Sequence, residues 1–356
     1  MPLDREQVLS ALRSVKDSVS GKDLVSTNRI KEVRVAGAAV YVKVELRSPN
    51  DSNRNVIERD ILVAAKSIGG VDVTVEFVAA PANPPTVAPS NNPLPQIKNV
   101  VAVGAGKGGV GKSTIALNLA VGLQRTGLQV GLMDGDIYGP SMPTMLGVRG
   151  ATPTVSGNKI LPHHVHGIYA VTIGSLVEQD KPLIWRGPMA HGAFKQLLLD
   201  NTTWPALDFL IVDLPPGTGD VPLSLCQLLP LTGAVVVATP QQVALDDALR
   251  AVRMFQQLGA PILGVVENMS YMPLPDGSSI DLYGRGGTEK MAEQMDLPFL
   301  GAVPMVRELR INSDQGKPHA NFEEPLLHDA LNTIVANLVA QVGKRNQEQK
   351  VTLTIS

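Results

Sequence analysis

One stretch of the chain is dense in residues that handle phosphate: Gly104-Ala-Gly106-Lys107-Gly108-Gly109-Val110-Gly111-Lys112-Ser113-Thr114. It follows the apolar run Val100–Val103 and opens a helical pattern at Ser113–Arg125. From Gly106 to Ser113 it fits GxxxxGK[ST] in the strand–loop–helix setting that this spacing requires. Glycines allow backbone N–H groups to wrap phosphate oxygens, and the helix N-terminus adds a favourable dipole. The Lys112 ammonium is placed to reach the β- and γ-phosphates, and the Ser113 hydroxyl to ligate Mg²⁺. The nucleotide-binding set read from this loop is Gly106, Lys107, Gly108, Gly109, Val110, Gly111, Lys112, Ser113 and Thr114.

Polar groups follow other apolar runs. Asp134 and Asp136 come after Val130–Met133, and Asp213 comes after Phe209–Val212. At a strand end beside phosphates, Asp213 is an acid that holds Mg²⁺ through water. Asp134 either supports the metal shell or is a turn residue beside Gly135. Gly217 and Gly219 flank Thr218 in a loop whose glycines tolerate the backbone changes of a switch. Asn268 comes two residues after Leu263–Val266. Its amide offers the acceptor and donor that match adenine N6–H and N7, although Asn is also a frequent strand-end residue. No NKxD motif accompanies it, which argues against guanine.

These groups need a scaffold that brings strand ends together. Val100–Val103, Val130–Met133, Phe209–Val212, Ala234–Ala238 and Leu263–Val266 are short, β-branched and nearly continuous, as parallel strands buried on both faces read. Helical patterns at Ser113–Arg125, Val243–Leu258 and Thr288–Met295 lie between or after them. The reading is an α/β fold over residues 98–345, a doubly wound parallel sheet with its ligand at the carboxyl ends of the strands. Prolines fix φ and remove donors, so residues 80–97 read as a semi-rigid tether. Ahead of it, residues 1–79 read as a small α+β domain. Its elements are a helix at Arg5–Val15, strands at Ile30–Val35 and Ala39–Leu46, a helix at Asn55–Ile68 and a strand at Val71–Val78. A C-terminal helix from Leu326 to Val342 has a broad apolar face that is expected to pack on the sheet. Residues 346–356 read as a disordered tail.

Lys107, directly after the first glycine of the loop, resembles the signature lysine of the deviant Walker A ATPases. That resemblance implies a P-loop NTPase that works as a nucleotide-sandwich homodimer, with Lys107 reaching the partner's phosphates. It also implies that Asp136 is the switch carboxylate orienting the attacking water, and that Asn268 reads the base. The catalytic set is then Lys107, Lys112 and Asp136, the Mg²⁺ set Ser113, Asp134 and Asp213, and the substrate ATP.

The match is narrower than that superfamily. Met133-Asp-Gly-Asp-Ile-Tyr-Gly-Pro-Ser141, Ile184-Trp-Arg-Gly-Pro-Met189, Asp213-Leu-Pro-Pro-Gly-Thr-Gly-Asp-Val221 and Glu267-Asn-Met-Ser-Tyr271 resemble the Mrp/ApbC family. So do Tyr283-Gly-Arg-Gly-Gly287 and Ser313-Asp-Gln-Gly-Lys-Pro318. The N-terminal domain is similar to the metal-sulfur cluster assembly domain often fused ahead of such ATPases. Its characteristic cysteine is missing from Leu46-Arg-Ser-Pro-Asn-Asp-Ser-Asn53. The family implies a carrier that delivers iron–sulfur clusters to apoproteins, with the cluster on a CxxC pair at the dimer interface. Here the corresponding stretch is Met272-Pro-Leu-Pro-Asp-Gly-Ser-Ser279, and the chain's single cysteine is Cys226. Two CxxC pairs supply four thiolates to a [4Fe–4S] cluster. The sequence therefore offers no iron–sulfur ligands, and Cys226 sits in an apolar pattern that reads as a buried structural thiol.

Composition narrows the remaining classes. With 356 residues and 44% hydrophobic content the chain is long enough for one large and one small domain. A formal net charge of -2 provides no global basic field, so nucleic acid is not an expected partner. One cysteine excludes an intrachain disulfide framework. The N-terminus lacks a basic segment followed by an apolar core, and no apolar run approaches the roughly 18 residues that span a bilayer, so the expected compartment is the cytoplasm. His164 and His166 precede the strand-like Gly167–Ile173 and would share a face at i, i+2, but no acidic or cysteine partner is near in sequence, so they are not expected to bind metal. Two principal functions remain open, an ATP-driven cluster carrier and a cluster-free ATP-switched scaffold. A MinD- or ParA-like positioning ATPase fits less well, because only Lys344 and Arg345 lie near the end of the apolar C-terminal helix.

Overall fold

The chain divides into the compact units Met1–Ser90 and Asn91–Ser356; alternating and continuous apolar runs build one core in the first and one on each face of the sheet in the second. The structure is a computed structural model that describes residues 3–16, 23–27, 29–46, 54–69, 72–79, 92–136, 139, 141–157, 159–175, 192 and 194–355. Residues 80–91 of the expected tether, the 184–189 motif, the 47–53 segment and residues 137, 138 and 140 of the 133–141 motif lie outside the described residues.

In the first unit, strands β1 (Ile30–Ala36), β2 (Ala39–Leu46) and β3 (Asp72–Ala79) form one sheet in that order. β1 and β2 pair antiparallel, and β2 and β3 pair parallel. A parallel pair needs a crossover, which the helix Arg54–Lys66 supplies. Val33, Val40, Val42 and Val44 meet Val8 and Leu12 of the helix Arg5–Leu12 and Ile57 and Ile61 of the crossover helix. The Asp4 side chain caps the first helix in a capping box with Gln7.

The second unit is built on an eight-stranded sheet. Its strands, in chain order, are β4 (Ile97–Gly104), β5 (Val130–Asp134), β8 (His163–Val165), β9 (Ile168–Thr172), β10 (Leu207–Asp213), β11 (Gly233–Ala238), β12 (Ile262–Asn268) and β15 (Phe299–Val303). The short pairs β6 (Thr154–Ser156) with β7 (Lys159–Leu161), and β13 (Met272–Pro273) with β14 (Ser279–Ile280), stand apart from it. The spatial order is β15-β12-β11-β4-β10-β5-β9-β8, and every pair is parallel except β8 with β9. The chain reverses direction across the sheet at β4, and the crevice beside such a reversal is where open α/β sheets bind ligands. One face is covered by the helices Lys112–Arg125 and Pro325–Ile355, the other by Gln242–Gln257 and Gly287–Gln294. The doubly wound α/β reading of the sequence therefore holds, with β8, β15 and the two small pairs added to it.

Two boundaries differ from the sequence reading. The tether was expected to run to residue 97, but Leu94 and Ile97 are buried in the core of the large unit, and Ile97 opens β4. Residues 346–356 were expected to be a disordered tail, whereas the terminal helix continues to Ile355. Gln347, Glu348 and Lys350 are good helix formers, and propagation from a helix already anchored by Leu331, Leu338 and Val342 needs no new nucleus.

Candidate functional site

Strand β4 ends at Gly104, and the loop Ala105–Gly111 leads into the helix Lys112–Arg125. Gly111 precedes the helix at φ 81°, a left-handed conformation that an L side chain resists. No side chain caps that helix, so its first N–H groups have no side-chain acceptor, as at helix starts that bind anions. The loop is braced from two sides. A Cβ on Gly106 would lie 2.0 Å from the Asp247 carbonyl oxygen in the helix Gln242–Gln257. A Cβ on Gly111 would lie 2.1 Å from Asn268 Nδ2, which donates to the Val110 carbonyl at 2.8 Å.

Parallel register brings the acids to the same level. Asp213 pairs with Val103 on one side and with Asp134 on the other. Lys112 Nζ lies 2.5 Å from Asp213 Oδ1 and 3.5 Å from Asp136 Oδ2, and donates to Ser113 Oγ at 3.2 Å. Ser113 Oγ donates to Asp213 Oδ2 at 2.5 Å. Asp134 Oδ1 accepts from the Asp136 N–H at 3.1 Å, whereas its Oδ2 is buried without a partner. Two carboxylates thus contact one buried lysine, and the third, Asp134, lies near enough to feel its charge. Burial, then the Asp213 charge, holds the Asp134 carboxyl well above the usual carboxylate range. Burial also raises Asp213, against the opposing pull of Lys112 and Ser113.

The loop after β10 is tied to the phosphate loop by Gly217 N–H donating to the Ala105 carbonyl at 2.9 Å. Beyond Asn268 a cleft of about 770 Å³ opens, lined by Gly111, Thr114, Met145, Asn268, Met269 and Arg310. Its size and mainly apolar lining with a few polar groups suit a small organic ligand. Lys107 is half-buried on the loop.

Two features were not read from the sequence. Glu267 is buried, and its carboxylate accepts from Ser270 Oγ at 2.5 Å, Gly286 N–H at 2.9 Å and Thr288 N–H at 2.8 Å. It closes the base of residues 271–286, with the Gly286–Gly287 pair at a helix start as the available signal. The cleft wall formed by the helix Arg307–Asp314 was also missed, although the 313–318 motif overlaps its end.

The stretch in place of CxxC is the β13–β14 hairpin, turning at Gly277 with φ 84°. Asp276 accepts from the Ser278 hydroxyl and N–H, which hold its carboxyl below the usual range. Cys226 lies in the helix Asp220–Leu228, and burial pushes its thiol up to about 12. Among the described residues no group of three or more His, Cys, Asp or Glu forms a metal cage. Also among the described residues, no helix is long and apolar enough to cross a membrane.

Sheet order, the glycine loop at the reversal point and the lysine–serine–carboxylate cluster define a P-loop nucleotide-binding protein of the α/β class. A family model described as NUBPL iron-transfer P-loop NTPase matches residues 96–339, and one described as iron-sulfur cluster assembly protein matches residues 5–77. An iron-sulfur cluster carrier protein of Synechocystis is 45% identical over 322 residues, covering 89% of this chain and 91% of that one. Its namesake in Deinococcus radiodurans is 44% identical over 344 residues, covering 96% of each. Among solved structures, the nucleotide-binding protein of Archaeoglobus fulgidus in complex with ADP superposes with a TM-score of 0.59 at 33% identity, covering 67% of this chain and 94% of that one. The chain belongs to the NUBPL iron-transfer P-loop NTPase family.

Proposed function

We propose that this chain is a cytoplasmic, homodimeric enzyme that hydrolyses ATP to ADP and phosphate in the service of iron–sulfur cluster transfer to apoproteins. The observation that carries the reading is Lys112, held by Asp213 and Asp136 at the mouth of a glycine loop. Phosphate oxygens entering the loop compete for the ammonium, and Lys112 passes from Asp213 to the β- and γ-phosphates. That exchange releases the Asp213 carboxylate and the Ser113 hydroxyl. Asp136 orients the attacking water, and Lys107 acts on the phosphates of the second copy. Asn268 presents its amide to adenine in the adjoining cleft. Positioning and charge neutralisation are most of what phosphoryl transfer requires.

A Mg²⁺ ion fits this donor set. Ser113 Oγ and both Asp213 oxygens are hard ligands, and Asp134, paired with Asp213 on the next strand, keeps a buried Oδ2 without a hydrogen-bond partner. Ser113 and Asp213 would hold the ion with Asp134 behind them, and when bound it supplies neutralisation of charge on the phosphates.

The cluster is cargo rather than a resident group. One buried cysteine per chain leaves the cargo dependent on thiolates from a donor or recipient protein. The same observation favours a second reading, an ATP-switched scaffold that handles the transfer machinery without holding a cluster. Lys112→Ala is expected to abolish ATP hydrolysis, and unchanged turnover removes the ATPase assignment. Anaerobic transfer from a loaded donor to an apo iron–sulfur enzyme, with and without the chain and ATP, separates the two readings. Acceleration with iron retained on the chain supports the carrier, and acceleration without retention supports the scaffold.

A further inference from the structure

The helix Arg307–Asp314 forms one wall of the cleft beside the phosphate loop, yet none of its residues is buried. Its apolar contribution to the core is the half-buried Leu309. A helix with so little packing needs another anchor, and a chain of amides provides one. Asn312 Nδ2 donates to Asn321 Oδ1 at 3.0 Å, Asn321 Nδ2 to Asn118 Oδ1 at 3.0 Å, and Asn118 Nδ2 to the Thr114 carbonyl at 2.8 Å. Asn118 and Asn321 are buried. Thr114 is the residue after Ser113 and lines the same cleft. The three amides therefore run head to tail from one wall of the cleft to the first turn of the phosphate-loop helix. Aligned dipoles in a low-dielectric interior reinforce one another, and each amide leaves its neighbour unsatisfied if removed.

We propose that Asn118, Asn321 and Asn312 are positioning residues that fix the helix Arg307–Asp314 against the phosphate loop and so set the fit of the nucleoside half of the substrate. The proposal rests on the reading of the cleft as the nucleoside site. The phosphate half has braces of its own: the Asp247 carbonyl against Gly106, Asn268 on Val110, and Gly217 on Ala105. Loss of the ladder should therefore separate the two halves. Binding of adenosine should weaken, while binding of the bare phosphate chain should persist.

The test compares Mg·ATP, Mg·ADP and Mg·tripolyphosphate affinities by calorimetry or competition on the full chain. The variants are Asn312→Ala, at the half-buried end of the ladder, and Asn321→Leu, at its centre, with thermal unfolding run in parallel. Each variant is expected to weaken ATP and ADP by about tenfold, the scale of one buried polar group left unpaired. Tripolyphosphate affinity should stay within about twofold, inside the usual scatter of a neutral substitution. The double variant Asn312→Ala, Asn321→Leu should lose no more ATP affinity than Asn321→Leu alone, because the two act as one network. Native-like ATP affinity in both single variants, or equal losses of ATP and tripolyphosphate, overturns the ladder. Should Asn321→Leu fail to fold, Asn312→Ala decides the matter by the same ratio. A native chain that binds neither ATP nor tripolyphosphate overturns the nucleotide reading itself.

Discussion

Gly106→Ala is the sharpest test of how the phosphate loop is held. The added methyl would sit 2.0 Å from the Asp247 carbonyl oxygen, 2.1 Å from its carbonyl carbon and 2.7 Å from the Ala248 nitrogen. All three are backbone atoms of the helix Gln242–Gln257, so no side-chain rotation can relieve the clash. A carbon–oxygen contact needs about 3.2 Å or more, so loop and helix must separate by roughly 1 Å. Overpacking of this kind costs about 1–3 kcal/mol, and a backbone-on-backbone clash belongs at the upper end, about 3 kcal/mol. A shift of about 1 Å at a reacting site can also cost about 100-fold in rate. The control is Gly108→Ala, whose methyl would meet nothing within 4 Å. Urea unfolding of both variants, with ATPase kcat/KM measured on Gly106→Ala, reads both consequences. Equal unfolding midpoints for the two variants would refute the claim that the helix Gln242–Gln257 braces the loop.

Lys107→Ala should lose ATP hydrolysis by at least about 100-fold, the scale of a lost transition-state charge, while ATP binding to the monomer persists. Mixing it with Asp136→Ala should restore one competent site per mixed dimer, and proven heterodimers without activity would remove the cross-dimer role. Asp134 and Asp213 both titrate above the ordinary value of 3.8, so the folded chain holds more protons than the unfolded one just above that pH. Their contribution to stability is full below pH 3.8 and is lost as pH rises through the folded values. Asp134→Asn should accordingly raise Tm at neutral pH in Mg²⁺-free buffer and lower hydrolysis, and a lower Tm would contradict the burial argument. With its thiol pushed up to about 12, Cys226 should resist thiol reagents at pH 8 until the chain is unfolded. Anaerobic reconstitution should leave well under one [4Fe–4S] cluster per dimer after desalting, and a content near one that is insensitive to Cys226→Ser would reveal ligands outside this account.

The phosphate loop was legible because its chemistry is local. Gly106 to Ser113 must wrap an anion between a strand and a helix, so spacing alone carries the message. The strand-end positions of Asp134, Asp213 and Asn268 were legible at one remove, since each follows an apolar run, and parallel strands align their carboxyl ends. The edge elements were harder. All three residues of β6 are exposed, and a strand that short has no periodicity to read. The polar residues after Arg345 looked like a tail because their helical state depends on the anchored turns before them.

The sequence by itself determined the class of fold, the phosphate loop and the absence of a CxxC pair, because residue type and spacing fix each of these. Tertiary structure alone decided which carboxylates share Lys112, why Gly106 admits no side chain, how Glu267 closes the loop at residues 271–286, and which amides join the two walls of the cleft. Those contacts join residues far apart in the chain, from Gly106 to Asp247 and from Asn118 to Asn321. A single sequence records propensities along the chain, whereas the distance between two buried groups is set by how the elements between them pack.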